Sequence, residues 1–399
     1  MTEWELVTIG DEDSADAQLV VGLELAWMSL DDLPAALGEL SALRELELSH
    51  NELTGVPADF GRLTALETLH LDNNQLTSLP AALGGLIALT WLNLDNNQLT
   101  SLPAALGGLI ALTSLHLNEN RLTSLPAALG ALTALQTLNI CDIQLTSLPA
   151  ELGGLKALTE LGLCGNQLTS LPAELGGLKA LNMLSLDGNL LSSVPAELGR
   201  LTKRLTWLDI SDNRLTSVPA AVMELTALRS LHLNKNQLTS LSAELGGLKA
   251  LTDLCLSGNL LSSMPAELGR LTMLEWLDLS SNQLTSVPAE LEGLTALTTL
   301  DFSSNQLTDV PAELEGLTAL TTFDLSSNQL TDVPAELGGL TALKMLSLNN
   351  NELTSVPAEW EKGGALEASH GEIVRSQAEF RDMVLKTARE GSLGGQWVR

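Results

Sequence analysis

Leucines recur along this chain in short alternating runs that each end in a turn. Residues 89–103 show the pattern: Leu89, Leu92 and Leu94 are spaced by Thr90, Trp91 and Asn93, then come Asp95, Asn96 and Asn97, and Leu99, Leu102 and Pro103 close the run. Leu92 and Leu94 alternating with Trp91, Asn93 and Asp95 is the period-two signature of a short strand buried on one face. Asn97 stands where the chain leaves that strand, and its amide can satisfy backbone groups of the bend in its own and the adjacent unit. Pro103 fixes φ and offers no donor, so it marks an irregular return path and not a central strand. The stretch that follows, Ala104 to Leu112, is too short for more than a helical or 3₁₀ turn.

The same unit returns at a step of 23 residues, with the turn asparagine at 51, 74, 97 and 120, at 166 and 189, and at 213, 236, 259, 282, 305, 328 and 351. Met28 and Ile143 occupy this phase without being Asn, and one extra residue enters near Lys203 and Arg204, where a basic bulge is expected. All 14 prolines, Pro34 through Pro357, lie six residues after the phase, and Ser242 takes the place of one more. A period of this length predicts a solenoid in which each strand pairs with the same strand of the next unit, roughly 4.8 Å away in a parallel sheet. The leucines then stack as the core and the asparagines as a ladder, which Ile143 should loosen. Such an architecture moves the question of function from a catalytic pocket to a long surface.

The motif L-x-x-L-x-L-x-x-N-x-L, carried by about fifteen units over residues 20–366, resembles the leucine-rich-repeat family. The continuation L-T-S-L-P-A-E-L-G-G-L is similar to the 23-residue subclass of the plant intracellular Ras-group-related and Scribble-like proteins. That resemblance implies an α/β solenoid: a curved horseshoe with a parallel concave sheet and a 3₁₀ or short-helical convex side. It implies no enzyme. The solenoid is expected over residues 22–366, after an N-terminal cap at 1–21 with apolar Trp4, Leu6, Val7 and Ile9 and an acidic loop. A C-terminal capping helix is expected at 367–390, opened by the capping box Ser369 and Glu372, and a flexible tail at 391–399.

Strand alternation names the side chains expected on the concave face: those one, two, four and six positions before each Asn phase. These columns hold fifteen acidic residues, among them Glu160, Asp209, Asp253, Asp278, Asp301 and Asp324, against one Lys, Lys235, and no Arg. The formal charge of −29 is thus concentrated in part on the expected binding face, which disfavours nucleic acid and anionic membranes and favours a basic protein or peptide. Trp91, Trp207 and Trp276 share the column six positions before the phase with Met183 and Met345. Aromatics make up only 3% of the chain, so tryptophans gathered at one phase of a polar face read as interface anchors. His70, His116 and His232 stand two positions further on and complete the candidate partner-binding set. On the convex side a column of glutamates from Glu151 onward reads as a solubilising ridge, and Ala82, Ala105 and Ala128 leave earlier units smoother.

Other chemistry fits less well. Asp209, His232 and Cys255 share a column in successive units and trace a thiolate, base and carboxylate, giving a thiol enzyme as one alternative function. An open sheet excludes little water and supplies no oxyanion donors, so no catalytic residue is assigned. A structural or surface-binding role through the ladder Thr77, Thr100, Thr123, Thr146 and Thr169 is the other alternative. No cofactor is expected. His70 and His116 flank Asn93 two strands apart, and the Asp278, Asp301 and Asp324 column lacks a cation-loop spacing, so no metal site is assigned either. Cys141 and Cys164 sit in one column of adjacent units, close enough for a disulfide, and Cys255 lies four units beyond Cys164, which excludes a three-cysteine zinc site. Three cysteines are not a disulfide framework, which favours the cytoplasm. Uncharged windows at 99–118 and 122–141 contain Pro, Gly and the polar turn, so membrane insertion is not expected. Met1–Ile9, with Glu3 and Glu5, shows no secretory signal.

Overall fold

A computed structural model describes residues 20–354 and Pro357. The expected N-terminal cap, apart from Val20 and Val21, and the C-terminal helix and tail lie outside the described residues. The chain divides into two compact units between Leu190 and Leu191.

In the first unit the strands are β1 (Gly22–Glu24), β2 (Glu45–Glu47), β3 (Thr68–His70), β4 (Trp91–Asn93), β5 (Ser114–His116), β6 (Thr137–Asn139), β7 (Glu160–Gly162) and β8 (Met183–Ser185). Each pairs in parallel with the next, residue 22 facing 45, 45 facing 68 and so on to 160 facing 183. The second unit holds β9 (Trp207–Asp209), β10 (Ser230–His232), β11 (Asp253–Cys255), β12 (Trp276–Asp278), β13 (Thr299–Asp301), β14 (Thr322–Asp324) and β15 (Met345–Ser347), again parallel and in chain order. Between strands the chain returns through five-residue 3₁₀ helices such as Ala104–Gly108, begun by the repeat proline. Only the return Ala220–Met223 is α-helical among the described residues, where A-A-V-M replaces A-E-L-G-G. Each unit is therefore an α/β solenoid: one parallel sheet, a leucine core and a row of short helices opposite.

The core is what the alternation foretold. Leu92 is 1% exposed and Leu94 is fully buried, each such leucine contributing roughly 1.5–3 kcal/mol of burial. The ladder asparagines from Asn51 to Asn328 are buried too, Asn351 partly so, and each is hydrogen-bonded. Asn97 Oδ1 accepts the Leu76 N–H at 3.0 Å, while Nδ2 donates to the carbonyls of Leu71, Leu94 and Asp95 at 2.9, 3.1 and 3.2 Å. One amide thus joins its own turn to the preceding unit. The residue just before it is left-handed, with φ of 54° at Asn96, 53° at Glu119 and 51° at Lys235. That position belongs to the turn, not to the strand.

Two irregularities take definite forms. Ile143 packs into the core at 1% exposure and has no amide to offer; across that rung the Gln144 N–H reaches Leu122 O at 3.3 Å, against 2.9 Å for Arg121 to Leu99. A different bond spans the junction: Asn118 Oδ1 accepts the Cys141 N–H at 2.7 Å. The extra residue lengthens one return turn to Thr202–Arg204, exposing Lys203 and Arg204, and the Leu205 N–H bonds back to Leu201 across four residues where other units span three. On the helical side the glycines permit close stacking, since a Cβ at Gly84 would run into the carbonyl oxygen of Ala105.

Candidate interaction face

The strand side chains opposite the leucine core form an open face. Trp91, Met183 and Met345 are 37, 39 and 51% exposed there, and Trp207 and Trp276 are half-buried. None of the three tryptophans enters the core. Glu160, Asp209, Asp253, Asp278, Asp301 and Asp324 lie on the same side of their strands, all partly accessible.

In the first unit β3, β4 and β5 place Trp91 between two histidines, with ring centroids 6.3 Å from His70 and 4.7 Å from His116. His70 Nδ1 lies 3.9 Å from both Glu47 Oε2 and Asp72 Oδ1. Its counterpart His116 has Nε2 2.9 Å from Ser114 Oγ. Asp72 is tied down by donors from Ser49, Asn73 and Asn93 at 2.6, 2.8 and 3.0 Å. Nearby Asp95 has its carboxyl pushed above the usual range, chiefly by burial, although the Asn118 N–H and side-chain amide oppose this.

The second unit builds a related cluster from β9, β10 and β12. His232 sits between two tryptophans, its ring 5.8 Å from Trp207 and 6.4 Å from Trp276. Its Nε2 is 2.8 Å from Ser230 Oγ and its Nδ1 4.0 Å from Asp209 Oδ2. Beyond Trp276 runs the column Asp278, Asp301 and Asp324, each accepting the N–H of the serine two residues on, at 2.9, 2.8 and 2.8 Å. Burial raises the Asp301 carboxyl, and the like charges of Asp324 and Asp278 add to the effect.

One aromatic pair escaped the sequence reading. Trp27, 74% exposed, stacks on His50 with centroids 3.8 Å apart and planes 10° from parallel. Both occupy the left-handed turn position, with φ of 62° and 54°, and their shared phase, 23 residues apart, was the available signal. Each of the four tryptophans among the described residues thus lies against a histidine.

The thiol-enzyme geometry does not assemble. Cys255 Sγ lies 3.4 Å from Ser257 Oγ and 3.4 Å from Asp278 Oδ2, while the His232 nitrogens meet Ser230 and Asp209. Burial pushes the Cys255 thiol up to about 11, leaving very little thiolate at neutral pH. Cys141 and Cys164 form a disulfide with Cα atoms 4.6 Å apart. No group of three His, Cys, Asp or Glu converges as metal ligands among the described residues, and none of their helices is long and apolar enough to cross a membrane.

A parallel strand, a ladder asparagine and a proline-led 3₁₀ return, repeated in both units, define a repeat protein with one open sheet face. The chain belongs to the leucine rich repeat family, whose model matches in overlapping segments over residues 29–191 and 203–353. Among solved structures it is similar to the leucine-rich-repeat protein LIC12759 of Leptospira interrogans, at 35% identity and TM-score 0.79, covering 85% of this chain and 92% of that one. It also resembles an internalin, InlF, of Listeria monocytogenes, at 28% identity and TM-score 0.69, covering 78% and 89% of the two chains. The plant peptide hormone receptor RGFR1, in complex with RGF2, aligns at 28% identity and TM-score 0.63 over 84% of this chain and 63% of the receptor. No curated protein matches the chain in sequence.

Proposed function

We propose that this chain is a non-catalytic interaction scaffold that receives a basic protein or peptide on the open face of its sheet. The supporting observation is the composition of that face: tryptophans out of the core, each against a histidine, among carboxylates that repel one another, as at Asp301. The ion pairs Arg44 with Glu67, Arg62 with Asp59 and Arg270 with Glu267 lie off this face. A cationic partner would relieve the repulsion and bury the indoles, which are the side chains most often dominant in interfaces. That a similar plant receptor holds a peptide hormone fits a peptide-sized partner. The constant offset of 23 residues between paired strands supports the Ras-group-related and Scribble-like subclass.

The test is affinity purification with wild type and with the triple variant Trp91→Ala, Trp207→Ala, Trp276→Ala, eluted by a salt gradient. Basic partners that release between roughly 0.1 and 0.5 M salt, as screening predicts, and that the variant does not retain, are the expected result. Partners held equally by the variant and indifferent to salt would refute the reading. The Cys141–Cys164 disulfide runs against the expected cytoplasmic location, and the pair also tests it: a reducing compartment keeps both as alkylatable thiols, whereas protection from alkylation in intact cells would place the protein in an oxidising one.

A further inference from the structure

The two tryptophans of the second unit open the same five-residue pattern, Trp-Leu-Asp-x-Ser, at 207–211 and 276–280; at Trp91 the third position is Asn93 instead. The geometry repeats with the sequence. Asp209 and Asp278 each point one oxygen at the N–H of the serine that ends the pattern, at 2.8 and 2.9 Å. Each indole therefore has beside it, two residues along the same strand face, a carboxylate held in place. Trp207, Ser230, Asp253 and Trp276 stand in register on β9 to β12, so about three strand spacings, or roughly 14 Å, separate the two strands, and the two indoles, whose ring centroids lie 5.8 and 6.4 Å from His232 between them, lean toward each other across that gap. His232 and Asp253 fill the floor between them, Asp253 taking the Thr252 hydroxyl at 2.6 Å.

An indole face beside a fixed carboxylate suits a guanidinium, which stacks on the ring through its plane and pairs with the acid through its edge. An extended chain advances about 3.4 Å per residue and puts every second side chain on one side, so residues i and i+4 reach roughly 14 Å apart on the same face. Spacings of i+2, roughly 7 Å, and i+6, roughly 20 Å, fit the two seats less well. We propose that the second unit grips an extended segment of its partner through two arginines four residues apart, one at Trp207 and Asp209, the other at Trp276 and Asp278. This rests on the reading that the open face takes a basic partner, and it adds the partner's conformation and register.

The experiment titrates the full chain with labelled, otherwise uncharged peptides carrying two arginines at i and i+2, i and i+4, or i and i+6, followed by fluorescence anisotropy at low salt. The i+4 peptide should bind about tenfold more tightly than the others, and its lysine version more weakly. Trp207→Ala and Trp276→Ala should each lower its affinity by about fivefold and erase the spacing preference. Asp209→Asn with Asp278→Asn is the second variant, since Asn93 and Asn139 show that the fold accepts Asn at this position; it should also erase the preference. Equal affinity for all three spacings, or a preference that survives in these variants, overturns the inference. Salt-sensitive binding that depends on Trp91 and ignores spacing overturns it while leaving the broader function standing, and failure of every basic peptide to bind removes both.

Discussion

Asp301 shows how a single side chain carries the tension of this surface. It is held by the Ser303 N–H, yet burial and two neighbouring carboxylates raise its pKa above the ordinary 3.8. A raised acid in the folded state means that the native protein takes up this proton more readily than the unfolded chain. The ionised form therefore lowers stability at neutral pH, and the penalty fades as pH falls through the raised value toward 3.8. Asp301→Asn keeps the oxygen that accepts from Ser303 and removes the charge, so its midpoint of thermal unfolding should exceed wild type at pH 7. The gap should close on acidification to about pH 4; a gap that widened would contradict the assigned cause. At this scale the sequence was informative about facing: period-two alternation put Trp91, Trp207 and Trp276 on the open side. It was silent on pairing, because which ring meets which histidine, and that Cys255 turns to Asp278, depends on rotamers that spacing does not encode.

At the scale of the repeat element, the ladder asparagine decides whether successive coils stay joined. Asn236 Nδ2 reaches the carbonyls of Ile210 and Leu233, and its Oδ1 takes the Leu215 N–H. Replacing it with Ile would copy the change found naturally at 143. There the adjoining Asn118 bonds the Cys141 backbone and Cys141 is joined covalently to Cys164. The Ser211 and Asn234 that stand in these places near 236 form no such link. Asn236→Ile should therefore leave buried backbone groups unpaired and lower stability by about 2–4 kcal/mol, measured by urea unfolding; a loss below about 0.5 kcal/mol would show that the amide bonds are dispensable. The strands, the proline-led returns and the asparagine bends were all legible because each depends on residues within one period. The left-handed turn residue was not, since His50, Asn96, Glu119, Lys235 and Ser281 all occupy it and share no side-chain chemistry. The α-helical return at Ala220–Met223 is the one described return that keeps neither repeat glycine, a local departure that the repeat average hides.

For the whole molecule the governing quantity is charge. The chain carries 49 acidic and 20 basic residues, a formal −29, and repetition places carboxylates in columns both on the open face and on the helical returns from Glu151 onward. Repeated columns cannot spread their charges apart, because neighbouring units fix like groups about one strand spacing, roughly 5 Å, from each other. Such repulsion disfavours the compact state and falls as salt shortens the screening length from about 10 Å at 0.1 M to about 3 Å at 1 M. The unfolding temperature should thus rise by several degrees between roughly 0.02 and 0.5 M sodium chloride. The same increment of salt should weaken any basic partner, so stability and affinity move in opposite directions along one axis. An uncharged osmolyte, which does not screen and favours burial, should raise stability without weakening binding. Scanning calorimetry alongside a binding titration reads both quantities on one sample, and a protein whose stability and affinity both rose with salt would require apolar burial, not charge, to dominate the face.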